Sequence, residues 1–382
     1  MHSSTVATPE PAVAQPAPVR RLLSLDALRG FDMFWIMGGE EVIHVLAKTT
    51  GWAWALVMAD QLTHAQWNGF RAYDCIFPLF LFLAGVSTPY SLGSRLDKGD
   101  SRSKLARKVI IRGLILVLLG IIYNNGLFEK PIAEMRFGSV LARIGLGGMF
   151  AQLIYLYIRN ERTRYGIFAG ILLGYWALLL LVPVPGFGAG NLSMEGSLVG
   201  YVDRLFMPGR LHKVIHDPEG LLSTLPAICT GLLGIFAGTA LRYAGLSDGK
   251  KLQRLVVGGV ACLALGWLWN LVFPVNKNLW TSSFVLVAGG WSLLMLSLFY
   301  WIIDIQNLRR WTFFFIVIGM NSILIYLANR VIDFEYTAHF LFSGILHFFS
   351  EPIQLVGGTL AFLAVKWLFL YFLYTKKVFL RV

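Results

Sequence analysis

The stretch DCIFPLFLFLAGVS, residues 74–87, decides the class of fold. After Asp74 it contains almost no polar side chain, and the apolar character continues when the stretch is extended to 73–93. A helix needs about 20 mainly apolar residues to cross the hydrocarbon core of a bilayer. The stretch therefore predicts a membrane-spanning helix.

Similar segments follow one another along the chain from Arg20 onward. Their approximate limits are 28–47, 73–93, 108–126, 139–158, 165–183, 221–241, 255–273, 283–303, 312–330 and 353–374. The sequence thus predicts an all-α, polytopic transmembrane bundle of about ten helices over residues 21–382. Residues 1–20, rich in Ala, Pro, Ser and Thr, are predicted to form a disordered cytoplasmic tail.

Composition excludes the soluble, disordered and fibrous classes. Of the 382 residues, 56% are hydrophobic and 14% are charged, whereas soluble domains carry about 25% charge. The net charge of +12 does not require a nucleic-acid partner, because most basic residues fall in alternate loops and in the tails. That alternation predicts cytoplasmic termini and contact with anionic headgroups of the lipid bilayer. The three cysteines lie in apolar runs without a Cys/His cluster, so no metal site is expected.

Two long loops, roughly 48–72 and 184–220, fall on the side opposite the predicted cytoplasmic face. Loops of this length in a compact protein are usually functional. Any polar substrate that they bind is therefore expected outside the cytoplasm.

The first helix carries polar residues at unusual depth. Asp26, Arg29 and Asp32 have i, i+3, i+6 spacing, which favours either a structural ion triad or an anion site where Arg29 holds a phosphate. Glu40 and Glu41 follow in an apolar segment, where carboxylates are costly and usually functional. They point about 100° apart, so one of them is expected to face the bundle interior.

His64 lies just before the second predicted helix, with Trp67 and Asn68 nearby. A loop histidine is often merely solvated, but a histidine beside a carboxylate is the usual general-base pair. Glu40, in the outer half of the first helix, is expected to approach the same outer mouth.

Other polar islands lie at helix ends or within helices. They are Asp217 and Glu219 in DPEG, Lys277 and Asn278 in PVNKNLW, and Asn321 in GMNS. Capping or interhelical hydrogen bonding would explain each one alone. Asn321, near the middle of the ninth predicted helix, is expected to point into a shared cavity.

These islands, in this order, resemble the heparan-α-glucosaminide N-acetyltransferase family and its bacterial relatives. The matching stretches are RLLSLDALRG (21–30), HAQWNG (64–69), DCIFPLFLFLAGVS (74–87), VLARIG (140–145), GYVDRL (200–205), DPEG (217–220), PVNKNLW (274–280) and GMNSILIY (319–326). The resemblance implies acetyl transfer from cytosolic acetyl-CoA to the amine of a glucosamine unit across the membrane. It also implies a bacterial inner-membrane location and a homodimer.

The resemblance further assigns roles to residues. The active-site histidine of the family corresponds to His64, which would act as general base or as acetyl carrier. Glu40 stands where the lysosomal enzyme has a catalytic Asn, and is expected to orient His64 or stabilise its cation. Asn68 or Asn321 would donate to the developing oxyanion.

Two groups of residues complete the predicted site. The expected acetyl-CoA-binding residues are Arg20, Arg21, Arg29, Arg95, Arg112 and Arg143. The expected acceptor-binding or supporting residues are Trp67, Asn68, Asp74, Asp217, Glu219, Lys277, Asn278 and Asn321.

Two other functions remain open on the sequence. A transporter for an amino sugar could use Glu40 and Glu41 to couple protons, since Gly38 and Gly39 interrupt their helix. Against it, the two halves of the chain contain no convincing inverted repeat. An O-acetyltransferase of an envelope glycan would keep the enzyme class and change the acceptor.

Overall fold

A computed structural model of the chain describes residues 22–127 and 129–380. Throughout these residues the regular secondary structure is helical, and β structure is limited to two isolated bridges. The predicted tail over residues 1–20, with Arg20 and Arg21, lies outside the described residues.

The helices are numbered in chain order. The first eight are α1 (Leu23–Phe34), α2 (Glu40–Thr50), α3 (Ala53–Gln61), α4 (Ile76–Thr88), α5 (Ser94–Asp97), α6 (Arg102–Asn125), α7 (Val140–Tyr157) and α8 (Glu161–Leu181). The others are α9 (Leu198–Phe206), α10 (Thr224–Arg242), α11 (Asp248–Trp269), α12 (Ser282–Phe299), α13 (Thr312–Met320), α14 (Ser322–Val331), α15 (Phe334–Leu346) and α16 (Glu351–Thr375).

The chain is a multi-pass membrane protein. Within the described residues, seven helical segments are long and apolar enough to cross a bilayer, and the bent pair α13–α14 would make an eighth. They correspond to eight of the ten predicted spans. The other two, 28–47 and 108–126, lie in α1–α2 and in α6, which are helical but carry more charge. The count of ten and the cytoplasmic termini stay predictions.

Helix packing in the centre depends on small residues. A Cβ atom on Gly234 of α10 would lie 2.0 Å from the backbone oxygen of Phe82 in α4, and one on Gly85 of α4 would lie 2.2 Å from that of Gly231. Such contacts let the two backbones approach closely, which is how helices associate in lipid. Helix α4, whose first turn reaches the candidate site, is thereby fixed to the core.

The first helix is interrupted rather than continuous. A π-helical turn over Trp35–Gly39 joins α1 to α2, and Gly38 adopts φ 124°. Residues with a side chain rarely adopt this backbone conformation, so the break requires glycine. It determines the direction in which Glu40, the first residue of α2, leaves the turn.

Candidate active site

His64 is hydrogen-bonded to a buried aspartate. Its Nδ1 lies 2.8 Å from Oδ1 of Asp74, a carboxylate that is fully buried. The other oxygen, Oδ2, accepts backbone N–H bonds from Ala65 at 3.2 Å and Arg71 at 3.0 Å. Both carboxylate oxygens are therefore held, and they fix the position of the imidazole.

Local sequence explains this placement. Residues 72–75 form a 3-10 turn at the start of α4, and Asp74 caps that turn through the Arg71 backbone. The turn directs the Asp74 carboxylate back towards the preceding loop. Asp74, predicted only as a supporting residue, is thus the direct partner of the histidine.

Lys277 contacts the other side of the imidazole. Its Nζ lies 2.9 Å from both Nδ1 and Nε2 of His64 and 3.7 Å from Oδ1 of Asp74. An atom equidistant from both ring nitrogens cannot align with both lone pairs, and Nδ1 already faces Asp74. Nζ therefore lies over the face of the imidazole, because a position in the ring plane equidistant from both nitrogens would overlap Cε1. Burial lowers the pKa of Lys277, and the Asp74 carboxylate opposes that shift.

Asparagines hold the two loops of the site together. Asn276 donates its side-chain N–H to Oδ1 of Asn68 at 3.0 Å, and the backbone N–H of Gly69 donates to the carbonyl of Val275 at 2.8 Å. The predicted residues Asn68 and Lys277 are therefore brought together in space. Asn278 contributes through its backbone, which lies beside His216.

Glu40 is separated from His64 by an aromatic ring. The ring of Tyr73 lies 4.8 Å from the imidazole, centroid to centroid, and its hydroxyl donates to the Glu40 carboxylate. The expectation that Glu40 is the carboxylate partner of His64 is therefore wrong, because Asp74 occupies that position. Of the adjacent acids, Glu40 is half-buried and Glu41 is exposed.

A second polar cluster lies beside this pair, built on DPEG. Arg136 donates two hydrogen bonds to Asp217, at 2.8 and 2.7 Å, and one to Glu219 at 2.5 Å. Burial acts to raise the pKa of Asp217, but Arg136 and the backbone N–H groups of Glu219 and His212 together lower that pKa below its usual range. Arg136 was not among the predicted site residues. The sequence indicated it only through its position just before α7.

Trp67 joins the two clusters. Its indole N–H donates to the carbonyl of Leu192 at 2.9 Å, and its ring packs edge-on against the buried His216 at 5.3 Å. Burial lowers the pKa of His216 to about 4. The imidazole of His216 is therefore neutral at physiological pH, which suits its buried contact with the Trp67 ring.

Arg143 does not lie with the other predicted acetyl-CoA-binding arginines. Its guanidinium is buried, donates to the carbonyls of Pro218 and Gly220 and to Oγ of Ser223, and stacks on Trp280 at 4.9 Å. These contacts hold the DPEG loop, at the same end of the bundle as His64. Arg143 therefore lies apart from Arg29 and Arg112, and its role in acetyl-CoA binding stays a prediction.

Arginines converge from separate helices in the other half of the bundle. Arg29 of α1 donates to Oγ of Ser87 at 2.9 Å and lies 3.8 Å from Asp26. Arg112 of α6 is close enough for its charge to interact unfavourably with that of Arg29. Arg95 lies apart, in an exposed pair with Asp100 at 3.5 Å.

Asn321 does not reach the shared cavity expected for it. It marks the 66° bend between α13 and α14. Its side chain donates to the carbonyl of Val378 at 2.9 Å and accepts from the N–H of Leu380 at 3.0 Å. Both bonds hold the C-terminal segment, so a role for Asn321 at the oxyanion is not supported.

No group of three or more His, Cys, Asp or Glu side chains within residues 22–127 and 129–380 is arranged to hold a metal ion. At His64 the structure places an imidazole held by a carboxylate and beside an amine. Such a group can take a proton or act as a nucleophile.

Comparison with known proteins agrees with the motif pattern. The chain is 29% identical over 376 residues to human heparan-alpha-glucosaminide N-acetyltransferase, with 84% of this chain and 55% of that protein covered. It is 27% identical over 430 residues to the mouse protein, with 98% and 63% covered. The chain thus spans 55–63% of the length of these relatives. No family model matches it.

Proposed function

We propose that this chain, a distant relative of the heparan-alpha-glucosaminide N-acetyltransferases, is a transmembrane N-acetyltransferase. It moves the acetyl group of cytosolic acetyl-CoA to the amine of an extracytoplasmic glucosamine or glucosaminide. The observation that carries the proposal is the His64–Asp74 pair, because it is a general-base pair in a loop at one end of a membrane-spanning bundle.

Asp74 determines which nitrogen reacts. A carboxylate only accepts hydrogen bonds, so Nδ1 of His64 carries the proton and donates it to Asp74. The lone pair then lies on Nε2, where it can take the proton of the attacking amine. On the alternative route the same nitrogen attacks the thioester and becomes the acetyl carrier. Asp74 supports either route by stabilising the imidazolium.

The arginines of the other half supply the anion site. Arg29 and Arg112 repel each other, and a phosphate between them would turn that repulsion into two charge-assisted contacts. Ser87, already hydrogen-bonded to Arg29, adds a hydroxyl. The nucleotide of acetyl-CoA would bind there, with its pantetheine arm extending towards His64. Arg20, Arg21 and Arg95 would assist from the tail and the adjoining loop.

The DPEG cluster forms the wall of the acceptor side. Asp217 and Glu219 are held by Arg136, and Trp67 offers a ring on which a sugar can stack. Asn68 and Asn278 add amide groups near Lys277. We infer a bacterial inner membrane as the location, with this site near the periplasmic face, and a homodimer as the assembly.

The test uses purified protein in lipid, acetyl-CoA and glucosamine, with CoA release and N-acetylglucosamine formation measured together. Wild-type protein should form both in equal amounts, and His64→Ala should form neither above background. A transporter would release no CoA. An O-acetyltransferase would release CoA with a hydroxyl acceptor and leave the amine of glucosamine unmodified.

A further inference from the structure

An amine already lies against the imidazole of His64. Nζ of Lys277 lies 2.9 Å from Nε2, and its side chain is 11% exposed. The ring of Phe77 lies 5.4 Å away, and the Asp74 carboxylate lies within ion-pairing distance. The lysine is therefore held in place rather than extended into solvent.

The proposed reaction needs a neutral amine beside an imidazole whose other nitrogen is bound to a carboxylate. Lys277 places an amine beside the same imidazole. Burial lowers the pKa of Lys277 towards the neutral form, although the Asp74 carboxylate opposes that shift. Nζ lies 2.9 Å from Nε2, the nitrogen that would take its proton. By contrast Lys213, in the loop before DPEG, is exposed.

We infer that Lys277 is a site of self-acetylation, and that its Nζ takes the acetyl group of acetyl-CoA when no amino sugar is bound. The inference rests on the proposed function, which brings the thioester to His64. The Nζ lone pair attacks the thioester carbonyl, an N–C bond forms and the C–S bond breaks. The amine proton passes to Nε2 of His64 and then to the departing thiolate, which gives N-acetyl-lysine and CoA.

The modification would inactivate the enzyme. Acetylation removes the charge that pairs with Asp74 and places an amide where an acceptor amine must approach His64. Because an amide nitrogen is not basic, the reaction would not reverse through the same base. A bound amino sugar would compete with Lys277 for the acetyl group and protect it.

The experiment incubates the intact purified chain with acetyl-CoA and no amino sugar, then locates acetyl groups by peptide mass spectrometry. Lys277→Arg keeps the charge and removes the nucleophile, Lys213→Arg serves as the exposed control, and His64→Ala removes the base. Wild type and Lys213→Arg should gain one acetyl group on Lys277, stable to hydroxylamine. His64→Ala should slow that modification about 10²–10⁴-fold, and saturating glucosamine should suppress it.

Three results would overturn the inference. One is an acetyl group found on His64 alone and released by hydroxylamine. Another is modification of Lys213 and Lys277 at equal rates, which is uncatalysed chemistry. The third is an unmodified Lys277 in a preparation that acetylates glucosamine. Modification of Lys277 without any transfer to glucosamine would support the lysine site and overturn the sugar assignment, so the two failures are distinguishable.

Discussion

Replacing Asp74 by Asn should change the tautomer of His64 rather than only weaken a contact. Oδ2 of Asp74 accepts two backbone N–H bonds, and Oδ1 faces the imidazole at 2.8 Å. An asparagine has a single acceptor oxygen. Leaving a buried N–H without a partner costs about 1–3 kcal/mol, so that oxygen should stay on the two backbone donors. The amide N–H₂ is then directed at the imidazole.

A donor facing Nδ1 forces that nitrogen to accept, and the ring proton then lies on Nε2. In that form Nε2 can neither take a proton from an amine nor attack a thioester. Turnover should fall about 10²–10⁴-fold, which corresponds to about 2.7–5.5 kcal/mol of activation free energy. The loss should be the same for direct transfer and for an acetyl-histidine route, since both use Nε2.

The assay is single-turnover acetyl transfer to glucosamine, together with the acetyl-CoA dissociation constant and thermal stability. Asp60→Asn is the matched control, because Asp60 pairs with Arg71 at 2.9 Å close by but is 57% exposed. It should leave turnover unchanged. Glu40→Gln should lower turnover less than Asp74→Asn, because Tyr73 lies between Glu40 and the imidazole. An Asp74→Asn protein that folds, binds acetyl-CoA and works at the wild-type rate would refute the reasoning.

Three further measurements test the topology, the anion site and a buried histidine. Cysteines introduced at Ser193 and Ser101 should react with an impermeant thiol reagent from opposite sides of the membrane, and the cysteine at Ser193 should react from outside. Labelling of both positions from outside would contradict the orientation. Arg29→Ala and Arg112→Ala should each weaken acetyl-CoA binding by about 1.5–3 kcal/mol, which raises the dissociation constant about 10- to 160-fold. An unchanged affinity of the double variant in calorimetry would exclude the site. His216 has a pKa lowered by burial to about 4, so the stability that it contributes is complete above the ordinary histidine pKa and is lost as pH falls towards 4. Between pH 7 and pH 4 the free energy of unfolding of the wild-type protein should fall by up to about 3 kcal/mol more than that of His216→Phe. Equal decreases for the two proteins, measured by chemical denaturation, would contradict this expectation.

The membrane class could be predicted from the sequence because it depends on local composition. Eight predicted spans coincide with helices or a helix pair that can cross a bilayer, since apolar length is read directly from the chain. In the first predicted span the sequence indicated an interruption at Gly38 and Gly39. The structure adds its form, a π-helical turn over Trp35–Gly39 in which Gly38 has φ 124°.

The partners of predicted site residues could not be obtained in the same way. His64 and Asp74 are ten positions apart, and their contact depends on a 3-10 turn of four residues at the start of α4. Glu40 was predicted as the partner because a carboxylate in an apolar membrane helix is costly and usually functional. Arg136 was missed since its bonds to Asp217 cross 81 positions of sequence.

The same long-range contacts make DPEG a structural unit, which its sequence alone did not indicate. Asp217 accepts from Arg136 and from the N–H groups of His212 and Glu219. Removing one partner of a buried ion pair costs about 3–5 kcal/mol. Part of what a substitution at Asp217 changes is therefore the folding of the loop itself.

The arrangement at His64 separates two requirements of the proposed acetyl transfer to an amino sugar. The imidazole must be oriented before the acceptor arrives, and Asp74 does this with an acceptor-only group that is buried and anchored by backbone N–H bonds. The face of Nε2 must also stay protected from water until an amine is present, and Lys277 covers it at 2.9 Å. An incoming amino sugar therefore has to displace an amine of its own chemical kind.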